Sequence, residues 1–254
     1  MYMTHCIVFV TNKLYFPKFI NTCTQLLING LYKGPICLVI GDDLKTDSLL
    51  HHELIIKNNI IIKHFPDIHF PEAFLTIQQN LPRDTFWFKK IFQYHKFHLF
   101  NTFFKQWNYI FYIDCGINIL ADIAPILQCA TAGKMIANSD AQPSYIWKLA
   151  IQFEQTHPLF NVLSSKYNLN IDYFQTTIML YDTSIIETNT YDELYKLAIE
   201  FPISRTNDQG IIALYFTTIR PVFEQIKTHN EDTRYYIYIA NRRDGKFIMV
   251  KTLI

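Results

Sequence analysis

Asp114 closes an unbroken apolar run, Tyr109-Ile110-Phe111-Tyr112-Ile113, and is followed by Cys115-Gly116. Such a run reads as a buried strand, so the carboxylate is delivered at a strand mouth. In open α/β sheets the ligand crevice lies beyond the carboxyl ends of the strands, where an acid can meet a ribose or a phosphate-bound metal. Asp also initiates turns through its own side chain, which is the plainer reading of the same residue. Asp208-Gln209 is the second informative pair. It follows the turn-forming Ser204-Arg205-Thr206-Asn207 and opens a stretch from Asp208 to Phe216 that reads as a helix with an acidic first turn. A carboxylate and an amide there can face a reacting carbon or hold an acceptor hydroxyl; helix capping is the competing explanation.

The elements that must position these groups alternate strand and helix. Cys6 to Val10 reads as a first buried strand, about Pro17 to Gly30 as a helix with Pro at its start and Gly at its end, and Ile36 to Ile40 as a second strand, which together make a βαβ unit. Asn59 to Ile62 reads as a third strand, and Phe86 to about Gln106 as one or two amphipathic helices. After the Asp114 strand, Lys134 to Ala137 and Thr177 to Tyr181 read as further strands and Pro158 to Tyr167 as a helix. Tyr235 to Ala240 and Phe247 to Val250, around Arg243-Asp244-Gly245, read as a C-terminal β-hairpin. The expected fold class is α/β: a single domain over 1–254, with a mostly parallel, Rossmann-like sheet flanked by helices.

Composition narrows the function classes. A chain of 254 residues, half of them apolar, can bury one sizeable core. Its net charge is +1, and no stretch gathers Lys or Arg over aromatic residues, which argues against nucleic acid as the main partner. The five cysteines are odd in number and lack a CxxC pair, so neither a disulfide framework nor a zinc knuckle is expected. No basic-then-apolar leader opens the chain, and no apolar run approaches the roughly 18 residues that span a bilayer. A cytoplasmic protein without a membrane span is the expectation; the oligomeric state is left open.

Four segments carry a resemblance in the right order, with a fifth lying between the last two. Thr11-Asn12-Lys13-Leu14-Tyr15, directly after the first strand, resembles the nucleotide-gripping loop of glycosyltransferases with the GT-A fold, particularly family 8, which contains glycogenin and lipopolysaccharide galactosyltransferases. Lys96-Phe97-His98-Leu99-Phe100 looks like that family's Lys-Leu-His-Cys-Trp helix, and Tyr112-Ile113-Asp114-Cys115-Gly116 like its Asp-x-Asp strand end. Asn207-Asp208-Gln209-Gly210 is similar to its Asp-Gln segment. Tyr173-Phe174-Gln175-Thr176-Thr177-Ile178-Met179-Leu180 takes the place of its Phe-Asn-Ser-Gly-Val strand.

The resemblance implies transfer of a hexose or N-acetylhexosamine from a nucleotide diphosphate sugar, probably a uridine one, to a hydroxyl of a saccharide or protein acceptor. Thr11, Asn12 and Tyr15 would bond to and stack on the base, or else serve as turn residues. Lys96 would set a point charge near the diphosphate, or else lie on a solvated helix face beside Lys89, Lys90 and Lys105. Asp140, Gln175 and Thr176 would line the sugar cavity, with Asp208 and Gln209 as the catalytic pair. Two departures stand out. The second acid of Asp-x-Asp is Gly116, and the family's C-terminal His-x-x-Gly-x-x-Lys-Pro-Trp pattern is absent. A manganese or magnesium ion would then rest on Asp114 with help from Asp122 or His229, or Lys96 and backbone donors would neutralise the phosphates without metal. A sugar-nucleotide-forming nucleotidyltransferase and a non-catalytic nucleotide-sugar-binding protein are the alternatives.

Overall fold

A computed structural model describes residues 4–82, 90–139, 146–226, 233–238 and 246–251. Among the described residues ten strands arise in chain order: β1 His5–Thr11, β2 Ile36–Ile40, β3 Ile61–His64, β4 Tyr109–Ile113, β5 Ile117–Ile119, β6 Met135–Ser139, β7 Phe174–Asp182, β8 Phe223–Gln225, β9 Thr233–Tyr238 and β10 Lys246–Lys251. Seven of them form one sheet in the order β3-β2-β1-β4-β7-β6-β8. The pairs β3/β2, β2/β1 and β1/β4 are parallel, β4/β7 and β7/β6 antiparallel, and β6/β8 parallel. β7 alone therefore runs against the rest, and the sheet is mostly parallel as expected.

Both faces of this sheet are covered, which is why its central strands read as continuous apolar runs. Residues alternate between two cores: Cys6, Val8 and Val10 of β1, with Ile110 and Tyr112 of β4, pack on one face, while Ile7 and Phe9, with Tyr109, Phe111 and Ile113, pack on the other. The second face is closed by the Phe16–Ile28 helix, whose Phe16, Phe19, Cys23 and Leu26 are buried. Pro17 in its first turn and the absence of a β-branched run make this the most regular helix of the first half. The first face receives the Ile91–Phe100 segment and the helices Thr190–Glu200 and Asp208–Leu214.

The order of connections creates the crevice. β1 is followed by β2 on one side of it, whereas β4 arrives on its other side, so the topology switches between β1 and β4. Thr11 and Asp114 stand at the carboxyl ends of these two neighbours. Because β7 is antiparallel to β4, with Ile113 opposite Ile178, the beginning of β7 lies beside the end of β4. Gln175 and Thr176 are thereby brought to the same mouth as Asp114, whose backbone N–H donates to the Thr177 carbonyl at 2.8 Å.

Several sequence expectations are corrected. The residues expected to form amphipathic α-helices from Phe86 to Gln106 fold, where described, as 3₁₀ segments, Ile91–Phe100 and Thr102–Gln106, and every side chain from Tyr94 to Phe100 is buried. Packing against the sheet face on one side and Thr190–Glu200 on the other leaves no solvent face for that periodicity to report. The third strand begins at Ile61, not Asn59, because Asn59 adopts φ of 50° in a turn. The helix opening at Asp208 is regular to Leu214 and then widens into a π turn, Tyr215–Ile219. The last two strands form where expected but pair in parallel, Phe247 opposite Arg234; the antiparallel partner of β10 is β5. The Asp-Gly signal is a local one and does not register the edge that β5 offers. Its residues, Arg243 to Gly245, lie outside the described residues. Among the described residues all five cysteines are free, and no helix is long and apolar enough to cross a membrane.

Tyr181 of β7 is fully buried and its hydroxyl donates to the Leu99 carbonyl at 2.7 Å, tying the sheet to the Ile91–Phe100 segment. Tyr181→Phe keeps the ring and strands that carbonyl without a donor. It is expected to cost about 1–3 kcal/mol, read as a lower urea midpoint at unchanged slope. A midpoint equal to wild type would show that the tie contributes nothing to stability.

Candidate active site

Lys96 is the centre of the site. Its ammonium lies 3.1 Å from Asp114 Oδ1 and 3.2 Å from Asp208 Oδ2, and it reaches the Thr176 carbonyl and hydroxyl oxygens at 3.4 Å each. It also sits 5.4 Å from the centre of the Tyr112 ring. The side chains of Lys96 and Asp208 are only 8% and 2% exposed, so the alternative of a solvated helix lysine is excluded. Three elements distant in sequence meet here: the Ile91–Phe100 segment, the end of β4 and the start of the Asp208–Leu214 helix.

The polar groups around the ammonium are individually held. Asp114 accepts a hydrogen bond from the Tyr112 hydroxyl as well as from Lys96. Asp208 Oδ2 accepts from the Thr176 hydroxyl at 2.8 Å. Gln209 Oε1 accepts the Thr176 N–H at 3.3 Å, while its Nε2 donates to Gln152 Oε1 at 3.0 Å. Asp208 is thus directed at Lys96 and Thr176, and no side-chain cap bond is made at the N-terminus of its helix, where the cap position is Asn207. That cap residue is strained, with φ of 54° and ψ of −119°. It is held there by its Nδ2, which donates to Gln93 Oε1 at 2.6 Å, and by its carbonyl, which accepts from the Ser204 hydroxyl at 2.7 Å. Three residues on, Gly210 leaves room for the same serine, since a Cβ there would come within 2.5 Å of Ser204 Oγ.

Burial pulls the Lys96 pKa down, but the carboxylates of Asp114 and then Asp208 outweigh it and hold the group above its ordinary range. Burial also raises the Asp208 carboxyl, against the opposing pull of Lys96 and of the Thr176 hydroxyl. Tyr112, buried beside Asp114, is pushed well above the usual phenol value and stays a hydrogen-bond donor. With both acids ionised, one ammonium between two carboxylates leaves the cluster one negative charge in excess.

A cleft of about 320 Å³ opens over this cluster. Of the residues singled out in the sequence, it is lined by Lys96, Asp114, Gln175, Thr176, Asp208 and Gln209. Thr11, Asn12, Tyr15 and Gly116 do not line it; they stand at the adjacent β1 and β4 ends. Thr11 is buried and its hydroxyl donates to the Asn12 carbonyl at 3.2 Å. Asn12 Oδ1 accepts the Tyr15 N–H at 3.1 Å, the turn role weighed for this loop. Tyr15 itself is exposed. Gly116 has φ of 95° and its N–H donates to Thr22 Oγ1 at 2.9 Å. Asp140 and His229 lie outside the described residues. Asp122 is exposed and its carboxylate accepts the Ala124 N–H at 2.9 Å, a local turn bond. The cleft also takes in Lys90, Gln93 and Arg205, which the sequence did not single out, and Gln152 stands behind Gln209. Gln152 carries no local signal, because its partners are more than fifty residues away.

The described donor set does not fit a resident divalent metal. At the strand end Asp114 is followed by Cys115 and Gly116 with no second acid, its Oδ1 already accepts two hydrogen bonds, and Lys96 stands between it and Asp208. Among the described residues no three of His, Cys, Asp and Glu gather as ligands.

No protein-family model and no curated protein matches the sequence. Solved structures do. Galactosyltransferase LgtC, in complex with donor and acceptor sugar analogs, matches with a TM-score of 0.59 at 12% identity, over 93% of this chain and 76% of that one. This is the GT-A glycosyltransferase fold. Mouse xyloside xylosyltransferase 1 matches at 0.57 and 11% identity over 98% of both chains. Core-mannan synthase A from Aspergillus fumigatus, in a form with manganese and GDP, matches at 0.50 and 9% identity over 88% and 73%. The likeness fixes the architecture in which the Lys96 cluster sits at the switch-point mouth.

Removing the ammonium should expose what it holds together. Lys96→Met leaves two buried carboxylates facing each other, and a loss of about 3–5 kcal/mol is expected at pH 7. Since the folded-state pKa of Lys96 lies above the ordinary 10.5, its contribution is complete below that pH and is lost as pH rises through the raised value. The difference in urea midpoint between wild type and Lys96→Met should therefore be complete near pH 10 and shrink as pH rises above about 10.5. A difference that does not change in that window would mean that Lys96 is not charged in the folded protein.

Proposed function

We propose that this protein is a glycosyltransferase that moves a hexose or N-acetylhexosamine from a nucleotide diphosphate sugar, by resemblance a uridine diphosphate sugar, to a hydroxyl of a saccharide or protein acceptor. The observation that carries the proposal is the buried Asp114-Lys96-Asp208 cluster, with Thr176 and Gln209, at the topological switch point of a GT-A fold. A mouth at that point is where such sheets take nucleotides. The sugar-bearing neighbours support the donor class: LgtC is described with donor and acceptor sugar analogs, and core-mannan synthase A with GDP.

In the reaction the bond between the anomeric carbon and the diphosphate oxygen breaks and its electron pair leaves with the diphosphate. The acceptor oxygen forms the new bond and gives its proton to Asp208 or to the departing phosphate. Positive charge that develops on the anomeric carbon meets a cluster with a net negative charge, in a pocket where Asp208 is almost wholly shielded from water and its field is weakly screened. Gln209, whose amide is held at both ends, is assigned in this reading to orienting the sugar or the acceptor, and Gln175 and Thr176, which line the same cleft, to the sugar cavity. Thr11, Asn12 and Tyr15 flank the same mouth on the β1 side, as the base and ribose require. Free thiols fit a reducing compartment, and we place the protein in the cytoplasm.

Two measurements test this reading. Uridine diphosphate at 100 times its dissociation constant should stabilise the fold by about 2.7 kcal/mol, visible as a melting shift larger than that given by adenine nucleotides. No shift with any nucleoside diphosphate at millimolar concentration would remove the donor site. Asp208→Asn should lower turnover by roughly 100-fold or more while donor affinity stays within a few-fold, because the carboxylate acts mainly on the transition state. Transfer or donor hydrolysis is followed by release of nucleoside diphosphate. Wild-type binding without turnover across a broad acceptor panel would instead identify a nucleotide-sugar-binding protein.

A further inference from the structure

Two residues past Asp114 stands Gly116, where the resemblance calls for a second acid, and the methylene stem of a lysine crosses the space beside it. The backbone of Gly116 is turned to φ of 95°, a region that L side chains rarely adopt, and is fixed there by Thr22, whose hydroxyl accepts the Gly116 N–H at 2.9 Å and donates to the Ile117 carbonyl at 3.0 Å. A Cβ built on Gly116 would meet Lys18 Cδ at 3.3 Å. The stem of Lys18 therefore lies across the space that a carboxylate at position 116 would enter. Its ammonium continues toward the first loop, 5.3 Å from the centre of the Tyr15 ring. Lys18 is exposed and forms no ion pair among the described residues. Lys96, by contrast, already directs its ammonium at Asp114, Asp208 and Thr176.

Resting on the donor-site reading above, we propose that Lys18 is the diphosphate-binding cation of this protein and that the donor is held without a divalent metal. The loss of an acid and the gain of an ammonium move the local charge in the same direction, from one that attracts a metal to one that attracts the phosphate oxygens directly. Lys18 lies in the first turn of the Phe16–Ile28 helix, so its stem passes Gly116 and its ammonium faces the Tyr15 ring of the Thr11–Tyr15 loop. A compact ammonium on a flexible stem suits a diphosphate whose charge grows as it leaves, since it can follow the oxygens without a fixed coordination geometry. Asp114 then serves to hold Lys96 and Tyr112, not a metal.

The test is calorimetric titration of the full chain with uridine diphosphate and with uridine, each in excess chelator and in millimolar manganese. The dissociation constant for uridine diphosphate is expected to agree within about two-fold between the two conditions. Lys18→Ala should raise it by about ten-fold or more in both, leave the affinity for uridine within about two-fold, and leave the melting temperature unchanged, while Lys18→Arg recovers most of the loss. Binding of uridine diphosphate that requires manganese, or that Lys18→Ala leaves unaltered, overturns the proposal and leaves the donor reading intact. If uridine diphosphate binds in neither condition, this inference fails, and if guanosine diphosphate titrated in the same way does not bind either, the donor reading fails with it.

Discussion

A buried ammonium held between two carboxylates is the constraint on which the rest of the site depends. Lys96 cannot be left alone in that environment, because an unpaired charge so far from water costs several kcal/mol, and neither can Asp208. Each therefore fixes the position of the other, and with them the segments that carry them. The Ile91–Phe100 segment must approach the end of β4 closely enough for Asp114 to bond Lys96. The Asp208–Leu214 helix must start where Thr176 of β7 can share its carboxylate. The strain at Asn207 follows from the same demand: the chain has to turn sharply to point Asp208 inward, and Gln93 and Ser204 hold the turn in place.

The sheet makes that meeting possible. Had β7 been parallel to β4, its beginning would lie at the opposite end of the sheet from Asp114, and Gln175 and Thr176 could not share a mouth with it. The antiparallel insertion of one strand into an otherwise parallel sheet brings the start of β7 to the end of β4. The apolar layers on both faces give this arrangement its rigidity, and the Tyr181 hydroxyl joins the far part of β7 to the Leu99 carbonyl of the segment that carries Lys96.

The legible part of the sequence was the part whose partners are uniform. β1, β2 and β4 lie between two apolar layers, so their own composition announces them within a residue or two. β5 and β8, three residues each, are too short for a period to appear. Lys96 is chemically indistinguishable from Lys89, Lys90 and Lys105 along the chain, and only its place in the Lys-x-His resemblance marked it. Its burial comes from a 3₁₀ path packed on both sides, which no local pattern encodes. Gln152 and Gln93 were out of reach for the same reason, since each acts through a bond across a long sequence separation. The C-terminal strands show the reverse error, where a strong local turn signal suggested a hairpin and the edge of β5 took the antiparallel place.

Stability gives no reason for such a cluster to exist. Replacing a buried ion pair by well-packed apolar residues of similar volume is often neutral or stabilising by about 1–4 kcal/mol. Lys96 lies against the Tyr112 ring in a segment buried from Tyr94 to Phe100, so an apolar filling was available to this fold. What the charges supply is a fixed electrostatic pattern at the mouth, with Asp208 and Gln209 aimed and locked before any ligand enters. Preorganised charge of that kind contributes little to holding a ground-state ligand that could equally be gripped by a neutral pocket. Its effect is greatest where charge develops during a reaction, in a site too dry for water to do the same work. A cluster whose charges are fixed in advance, where an apolar filling would serve stability as well, therefore fits the transfer reading better than a reading of binding alone.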